Sequence, residues 1–546
     1  MICRNSVRRG IEIGTAVIVV GFLAGGIAVA AETPGVPDPA ESTSEAPKGG
    51  AATESRPATA MLSGDKSEAD VEDDPASASS KVKKSKTGKR TPVARKEDLF
   101  RPDPHYGGSY EHTEQVEIYG GKFAVDPPRP PIEIGREQYT SGAYAPSGTL
   151  LGEKNPLLPG PAVYGDWRTA IAYNRNNGKD IAQAATRLNL DVDLKLTGTE
   201  RIHAFFTPIQ KDNQFTRYEF GGRDGDRDLN FEYDLSPQTL FFEGDLGALM
   251  TGFTGQVQSY DLPFTVGLFP LFLQNGIWAN DAILGGAFTL PAKNSAALGL
   301  ANFDITVFAA FDDVDNPGLL GLNGENNNLA NLYGVTTFID AFDGYIEAGY
   351  GVIDAQGPQD GTTHFLTAAY TRRYNNWISN STRVFANFGS DPDGDSDGLA
   401  IISENSLVTS LPSTLLPYAN FFVGFGSPQP LVDGFNAGIL KNVGINFETD
   451  ALTGYPKLDD TGSNAVGGAI GLQYLFNLDQ QIVFELATVQ PFEDDGIGAK
   501  DPQYALGVRY QIPLDKAWLF RADATYQILE GAEDNFGIRS ELRRKF

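Results

Sequence analysis

Four carboxylates stand at a spacing that can wrap oxygen around a hard cation. Asp393, Asp395 and Asp397, then Gly398 and Glu404, fit D-x-D-x-D-G-x5-E, in which alternate side chains converge and the glycine makes the sharp turn. Against a calcium site, Ile401 fills the ninth position, and a strand-like segment (residues 381–388) leads in where a helix is usual. A structural calcium in a loop and a solvated acidic loop both stay open. Elsewhere the chain offers little for catalysis. Its four histidines, His105, His112, His203 and His364, have no partner that spacing identifies, and its one cysteine is Cys3. There is no glycine-rich phosphate loop and no nucleophile elbow, so no enzyme is expected.

The other charges that could act on a ligand sit in segments with a period of two. Leu188, Leu190, Val192, Leu194 and Leu196 share one face of an extended strand, with Asp191 and Asp193 on the other. Residues 503–512 and 518–527 repeat the pattern, opposing Tyr504, Leu506, Val508, Trp518 and Phe520 to Arg509, Arg521 and Asp523. If the apolar face meets lipid, the opposite face lines a lumen, and its charges decide what passes. The pore-lining candidates are Asp191, Asp193, Glu232, Asp234 and Asp304 early in the chain, and Arg509, Arg521, Asp523, Arg539 and Glu541 late. In a closed barrel the first and last strands are neighbours, so these clusters could also pair as structural salt bridges. Residues 271–281, with Gln274, Asn275, Trp278 and Asn280, are expected in an outer loop that either folds into the pore or caps its mouth.

Composition narrows the setting. The 546 residues hold 43 Lys+Arg and 70 Asp+Glu, a net charge of -27 that disfavours nucleic acid. Residues 1–31 look like an export signal, with Arg4, Arg8 and Arg9, an apolar run and small residues at its end. Residues 32–98 are rich in Ala, Pro, Ser and Lys with no aromatic residue between 31 and 99, and are expected to be a disordered linker. Its basic run of Lys81, Lys83, Lys84, Lys86, Lys89, Arg90, Arg95 and Lys96 suits either a solvated linker or a tether to a periplasmic anionic polymer. Residues 99–161, rich in Pro and Gly, could plug a barrel, lie beneath it or make periplasmic contacts. Of the charged residues, 14 basic and 12 acidic ones precede residue 97, so 29 basic and 58 acidic ones remain, a balance of -29. That favours neutral or cationic solutes over anions.

Residues 162–546 carry the alternation without a linker. The connections at 197–200, 340–344, 374–379, 477–480 and 513–516 are short, and counting back from the C-terminus puts all of them at one end. The Asp-rich stretches then fall at the other. This arithmetic gives an all-β, antiparallel up-and-down transmembrane barrel of 18 strands, with 16 as the alternative because residues 229–290 are ambiguous.

The last segment, Phe536-Gly-Ile-Arg-Ser-Glu-Leu-Arg-Arg-Lys-Phe546, alternates and ends in Phe. It resembles the terminal strand of Gram-negative outer-membrane β-barrels, with Phe546 as the assembly signal, although Arg544 stands where an apolar residue is usual. The chain as a whole resembles large porin-type channels, with carbohydrate-selective porins and alginate exporters as candidate subfamilies. The resemblance implies an outer-membrane location, lipid and assembly machinery as partners, a homotrimer, and opposite charges facing each other across a constriction. It implies passive diffusion of small hydrophilic solutes; a structural or adhesive barrel with an occluded lumen, or a polysaccharide-export channel, are the alternatives.

Overall fold

The computed structural model describes residues 130–134, 147–155 and 160–546, apart from short stretches at 212, 226, 298–299, 312–313, 320–328, 357–360, 390–396, 410–414, 435–436, 449–451, 477–479, 494–495 and 516. The expected signal, linker and basic run, and Asp393 and Asp395, lie outside the described residues. The first wall strands are β1 (Pro161–Asn176), β2 (Lys179–Lys195), β3 (Arg201–Phe206, resumed by Gln214–Gly221), β4 (Pro237–Asp245), β5 (Pro263–Leu273) and β6 (Ala279–Ser295). They continue as β7 (Leu300–Phe311), β8 (Ala330–Ala341), β9 (Gly344–Ala355), β10 (Gly361–Tyr374), β11 (Ile378–Gly389) and β12 (Gly398–Leu407). The wall ends with β13 (Leu415–Gly426), β14 (Ala465–Phe476), β15 (Gln480–Pro491), β16 (Gln503–Pro513), β17 (Trp518–Leu529) and β18 (Asn535–Lys545). Each pairs antiparallel with the next, and β18 pairs with β1 from Phe536↔Arg175 to Lys545↔Asp166, so the sheet is a closed 18-strand barrel. Closure gives the wall's backbone groups partners without water, the condition for a sheet to stand in hydrocarbon.

The short connections that the sequence places at one end do lie together. With them, at what we call the turn end, is the helix α1 (Leu246–Thr254). Asp245 caps its first turn by accepting from Ala248 N at 2.7 Å, and Gly255 ends it in the left-handed region at φ 69°. A small hairpin, Ser147–Thr149 and Gly152–Lys154, packs on α1 through Gly152 and Gly252, and its buried Lys154 donates to Glu200 Oε1 at 2.8 Å. The opposite, loop end carries the described acidic residues Asp224, Asp397, Asp459, Asp460, Glu533 and Asp534. It also has a two-residue connection, Asn177 and Gly178 at φ 50° and 75°, which joins β1 to β2.

The outward side chains make an apolar belt. Ile171, Leu284, Val335, Leu366, Ile470, Leu486 and Leu506 are all exposed, and aromatic rings gather at both rims. At the loop end these include the pairs Tyr173–Phe536 and Phe311–Tyr333 and the stack Tyr350–His364–Phe388; at the turn end, Tyr474–Phe476 and Trp518. His364 is thus a belt residue, its Nδ1 2.7 Å from the Tyr350 hydroxyl. Arg544, the departure from the usual terminal strand, lies over the Trp518 ring at 5.4 Å, where a long cation at the rim is at home.

Inside, the expectation of a uniformly polar face fails over half the barrel. Phe308, Leu332, Ile353, Phe365, Phe385, Ile402 and Phe422 point inward near the loop end and are almost fully buried. They are covered by the connection between β13 and β14, residues 427–464, which enters the barrel and brings Leu431, Val432, Ile439, Leu440, Val443, Phe447 and Leu458 into the same cluster. This core lies within the barrel, where a soluble sandwich has its own. Nearer the turn end the inner residues of β8 and β9, Phe338, Asp340, Tyr345 and Glu347, are part-exposed, so this part of the lumen is open.

Trp278, 1 % exposed, is where wall, loop and hairpin tip meet, and a Cβ on Gly349 would come within 2.5 Å of its ring. Gly349→Ala is therefore expected to cost about 1–3 kcal/mol by overpacking, read as a lower unfolding midpoint in heat-modifiability gels.

Candidate functional site

The barrel interior is the site, and its centre is an ion-pair ladder on the last three strands. Inward positions come into register as Arg509↔Asp523↔Arg539 across β16, β17 and β18, with Arg521 two residues from Asp523 on the same face. Asp523 accepts from Arg509 Nε at 2.7 Å, Arg521 Nε at 2.9 Å and Arg539 Nη2 at 2.8 Å. One carboxylate among three guanidiniums leaves an excess of positive charge in a buried place. The in-folded loop supplies a second carboxylate. Glu448 lies 2.5 Å from Arg509 Nη2 and 3.0 Å from Arg521 Nη2, and the Tyr455 ring lies beneath Arg539 at 5.0 Å. Burial alone would raise the Glu448 carboxyl, but Arg509, Arg521 and Arg539 together outweigh it and hold the group well below the usual range.

A second anchor holds the same loop. Glu485 of β15 accepts from the backbone N–H groups of Ile445 and Asn446 and from Asn446 Nδ2, each at 2.9 Å, and from the Tyr418 hydroxyl at 2.5 Å. Thr453 O accepts from Asn174 Nδ2 and Gln183 Nε2 at 2.6 Å, tying the loop to β1 and β2. Leu431 N donates to Trp278 O at 2.7 Å, and Val432 and Asp433 pair in parallel with Ala279 and Asn280. Buried Asp433 pairs with Lys441 within the loop.

The sequence candidates separate into several environments. Arg509, Arg521, Asp523, Arg539 and Glu541 face inward but are buried, because residues 427–464 cover them or strand neighbours pair with them. Glu541 takes both arms of Arg168 across the β18–β1 seam at 2.8 and 3.0 Å, and Arg543 does the same to Asp166 at 3.0 and 3.1 Å. The late cluster therefore pairs within itself, with Glu448 of the loop and with Arg168 of β1, and these partners are not the early acidic candidates. Asp191 and Asp193 face inward on β2. Asp193 lies 3.8 Å from Arg201 and from His203, whose other nitrogen is 3.2 Å from Glu243 and whose ring stacks on Phe241. Asp304 accepts from Ala292 N at 2.6 Å and braces an irregularity of β6. Glu232 and Asp234 lie where the β4 side of the wall is not laddered.

Residues 271–281 are the end of β5, the tight turn at 274–278 and the start of β6, with left-handed backbone at Gln274, Asn275 and Gly276. The tip leans inward: Trp278 reaches the inward Gly349 of β9 and lies in the same buried cluster as Leu431. Its residues serve as a clasp: Asn275 O accepts from Asn442 Nδ2 at 2.7 Å, Trp278 and Asn280 hold the strand at 432–433, and Gln274 is buried. The longer segment that enters beside it, 427–464, is not marked by period, because its apolar residues follow none. Their density in so long a connection was the available signal. Of the carboxylates at calcium spacing, Asp397 accepts from Gly389 N at 3.2 Å, and Glu404 stands in β12 as the partner of Arg383 Nε at 2.8 Å. Among the described residues no three acidic, His or Cys side chains form a metal-sized group.

Fold and interior together define a membrane-spanning β-barrel of the porin architecture, narrowed by a loop from one end. No protein-family model matches the sequence, and no curated protein matches it. Among solved structures, the chain is similar to Pseudomonas aeruginosa OccK5 (OpdH) at 10% identity, covering 71% of this chain and 98% of that one with a TM-score of 0.45. It is similar to the outer membrane protein opdK of the same organism at 12% identity, covering 70% and 98% with a TM-score of 0.44. Pseudomonas aeruginosa OccK7 (OpdD) gives 8% identity, 71% and 98% coverage and a TM-score of 0.46. The assignment of architecture stands on this chain's own strand ladder.

Asp523→Asn would remove one of the two carboxylates that offset three buried guanidiniums, and an uncompensated buried charge costs about 3–5 kcal/mol. Urea titration of the folded barrel should show a loss of that size. The depressed Glu448 carboxyl stabilises the loop at every pH above its unfolded value, and the effect fades only as pH falls through the lower folded value. Bilayer conductance should thus stay flat from about pH 7 to about 4, the ordinary glutamate range; a step there would separate Glu448 from the latch.

Proposed function

We propose that the protein is an outer-membrane porin for passive diffusion of small hydrophilic solutes, with a preference for neutral or cationic ones. The observation that carries this reading is a closed wall, apolar outside, around an interior that is charged and part-exposed toward the turn end. Eighteen strands enclose a width that can hold water. The solute preference is supported by the late arginines being partly offset by Asp523 and Glu448, while the acidic loops ring the loop end. The terminal Phe546 fits delivery by the assembly machinery, and the porin resemblance suggests a homotrimer. The basic run from Lys81 to Lys96 fits a periplasmic anionic polymer, and the Asp-rich loop before β12 fits a calcium ion.

A second reading has its own support. Residues 427–464 fill the loop end so fully that the barrel could be occluded and serve a structural or adhesive role, with this loop as a stopper. Planar-bilayer recording separates the two. Purified, folded protein is expected to conduct, with a reversal potential in a salt gradient on the cation-selective side, and Glu448→Gln should raise the conductance by loosening the loop. No conductance from the wild type, with conductance appearing only in Glu448→Gln, would favour the occluded barrel.

A further inference from the structure

The connection between β4 and β5 stands on the outside of the barrel. Leu249 of α1 is buried with Phe264 of β5, and Leu246 of the helix, Leu151 of the hairpin and the wall residues Phe242 and Phe288 pack around them. Phe242 is two positions from exposed Leu240, and Phe288 two from exposed Leu290, so the covered wall face is the outward one. Phe264 pairs with Gly244 and with Phe288 and shares that face. The belt continues on both flanks. Leu290 lies nearer the turns than Phe288, and Leu194 pairs with Ile202, the partner of Phe242; both leucines are exposed. Lys154 has its stem against Gly252 while its ammonium reaches Glu200, which abuts the outward Gly244, so α1 lies along the wall instead of projecting from it.

The side turned away from the wall is apolar as well. Leu150 at the hairpin tip, Phe253 and Val257 are 98, 59 and 88% exposed, and Met250 and Tyr260 are exposed with them. Residues 246–260 carry no charge, and among the described residues of the hairpin Glu153 is the one exposed charge. The connection also closes its own polar groups. The Thr251 and Thr254 hydroxyls donate to Gly247 O and Met250 O at 2.8 and 2.7 Å, and accept from Gln258 N and Gln256 N at 3.1 and 3.2 Å. Leu246 N donates to Leu262 O at 3.1 Å, and Asp245 takes Leu262 N at 2.9 Å besides capping the helix. Such internal closure is what hydrocarbon demands of a backbone, and a helix apolar on its free side as on its packed side belongs in an apolar medium. A protein partner would find almost no charge here to fix its orientation.

We infer that α1 and the 147–154 hairpin form a foot that inserts into the bilayer leaflet at the turn end and takes phospholipid acyl chains against Leu150, Met250, Phe253 and Val257. Its apolar surface continues the belt, which already meets lipid. Short turns face the periplasm in outer-membrane barrels, so the leaflet is the periplasmic one. The foot lies in the interface, as monotopic amphipathic helices do, and widens the barrel on the side of β3 to β6 in that leaflet alone. This rests on the barrel being membrane-spanning and is independent of what passes along its axis.

Nitroxide accessibility in phospholipid vesicles tests it. Cys3 is the only cysteine, so with Cys3→Ser a single labelled thiol can be placed by Leu150→Cys, Phe253→Cys or Val257→Cys, each checked for folding by heat-modifiability. Leu486→Cys, on the belt at 63% exposure, is the lipid control, and Ala532→Cys, exposed at the loop end, is the water control. Collisions with a polar nickel complex, relative to those with oxygen, are expected to be roughly tenfold fewer at positions 150, 253 and 257 than at 532, and to match 486, because a polar complex is excluded from hydrocarbon. Nickel collisions at any of the three as frequent as at 532 overturn the foot. So does spin–spin broadening between labelled copies at 253, which would make a second copy the occupant. If position 486 is also open to nickel, the membrane-spanning reading itself has failed, whereas a protected 486 beside an open 253 removes the foot alone.

Discussion

Everything in this barrel depends on a backbone that must satisfy itself. In hydrocarbon an unpaired N–H or C=O costs several kcal/mol, so a sheet is stable there only when its last strand returns to its first. β18 and β1 meet that demand over ten consecutive pairs. Once the ring is closed, the outer face can be apolar and the inner face is free to carry charge, and the division of chemistry follows from closure.

The interior is governed by a different balance. Three guanidiniums around one carboxylate would be a poor buried arrangement, and the loop that brings Glu448 offsets a second of the three charges. The same loop brings an apolar surface to cover the inward Phe308, Phe365 and Phe385. Charge and hydrophobic burial thus hold residues 427–464 from two sides, the ladder on β16 to β18 and the apolar wall on β5 to β15. Glu485 adds a third hold by accepting backbone N–H groups that a loop in water would leave to solvent.

Much of the wall was legible. A period of two with short and long connections alternating gives strand number, closure and which end the acidic loops occupy, because side-chain alternation is a property of each strand alone. Arg509, Asp523 and Arg539 were rightly placed on the inner face for that reason. What the sequence withheld was what stands opposite them. Glu448 is separated from Arg521 by 73 positions and belongs to a loop with no period, so nothing local links the two. The pore loop was sought at residues 271–281 because of Trp278 and its polar neighbours. That tryptophan does lie inside, as the buried floor on which a second and longer in-folded segment rests. Inward phenylalanines on β7, β10 and β11 also blurred the alternation, since a strand with a plugged lumen can be apolar on both faces.

The closing seam also sets an order of events. Arg168 and Glu541 are 373 positions apart, and Arg543 and Asp166 are 377 apart, so these pairs form only when the final strand arrives. Contacts of such separation carry the largest entropic cost of chain closure. The loop's own holds are nearer in sequence, Glu485 lying 40 positions from Ile445 and Arg521 lying 73 from Glu448. They need only β15 to β17, so the loop can be seated on a wall whose last strand has still to find its first.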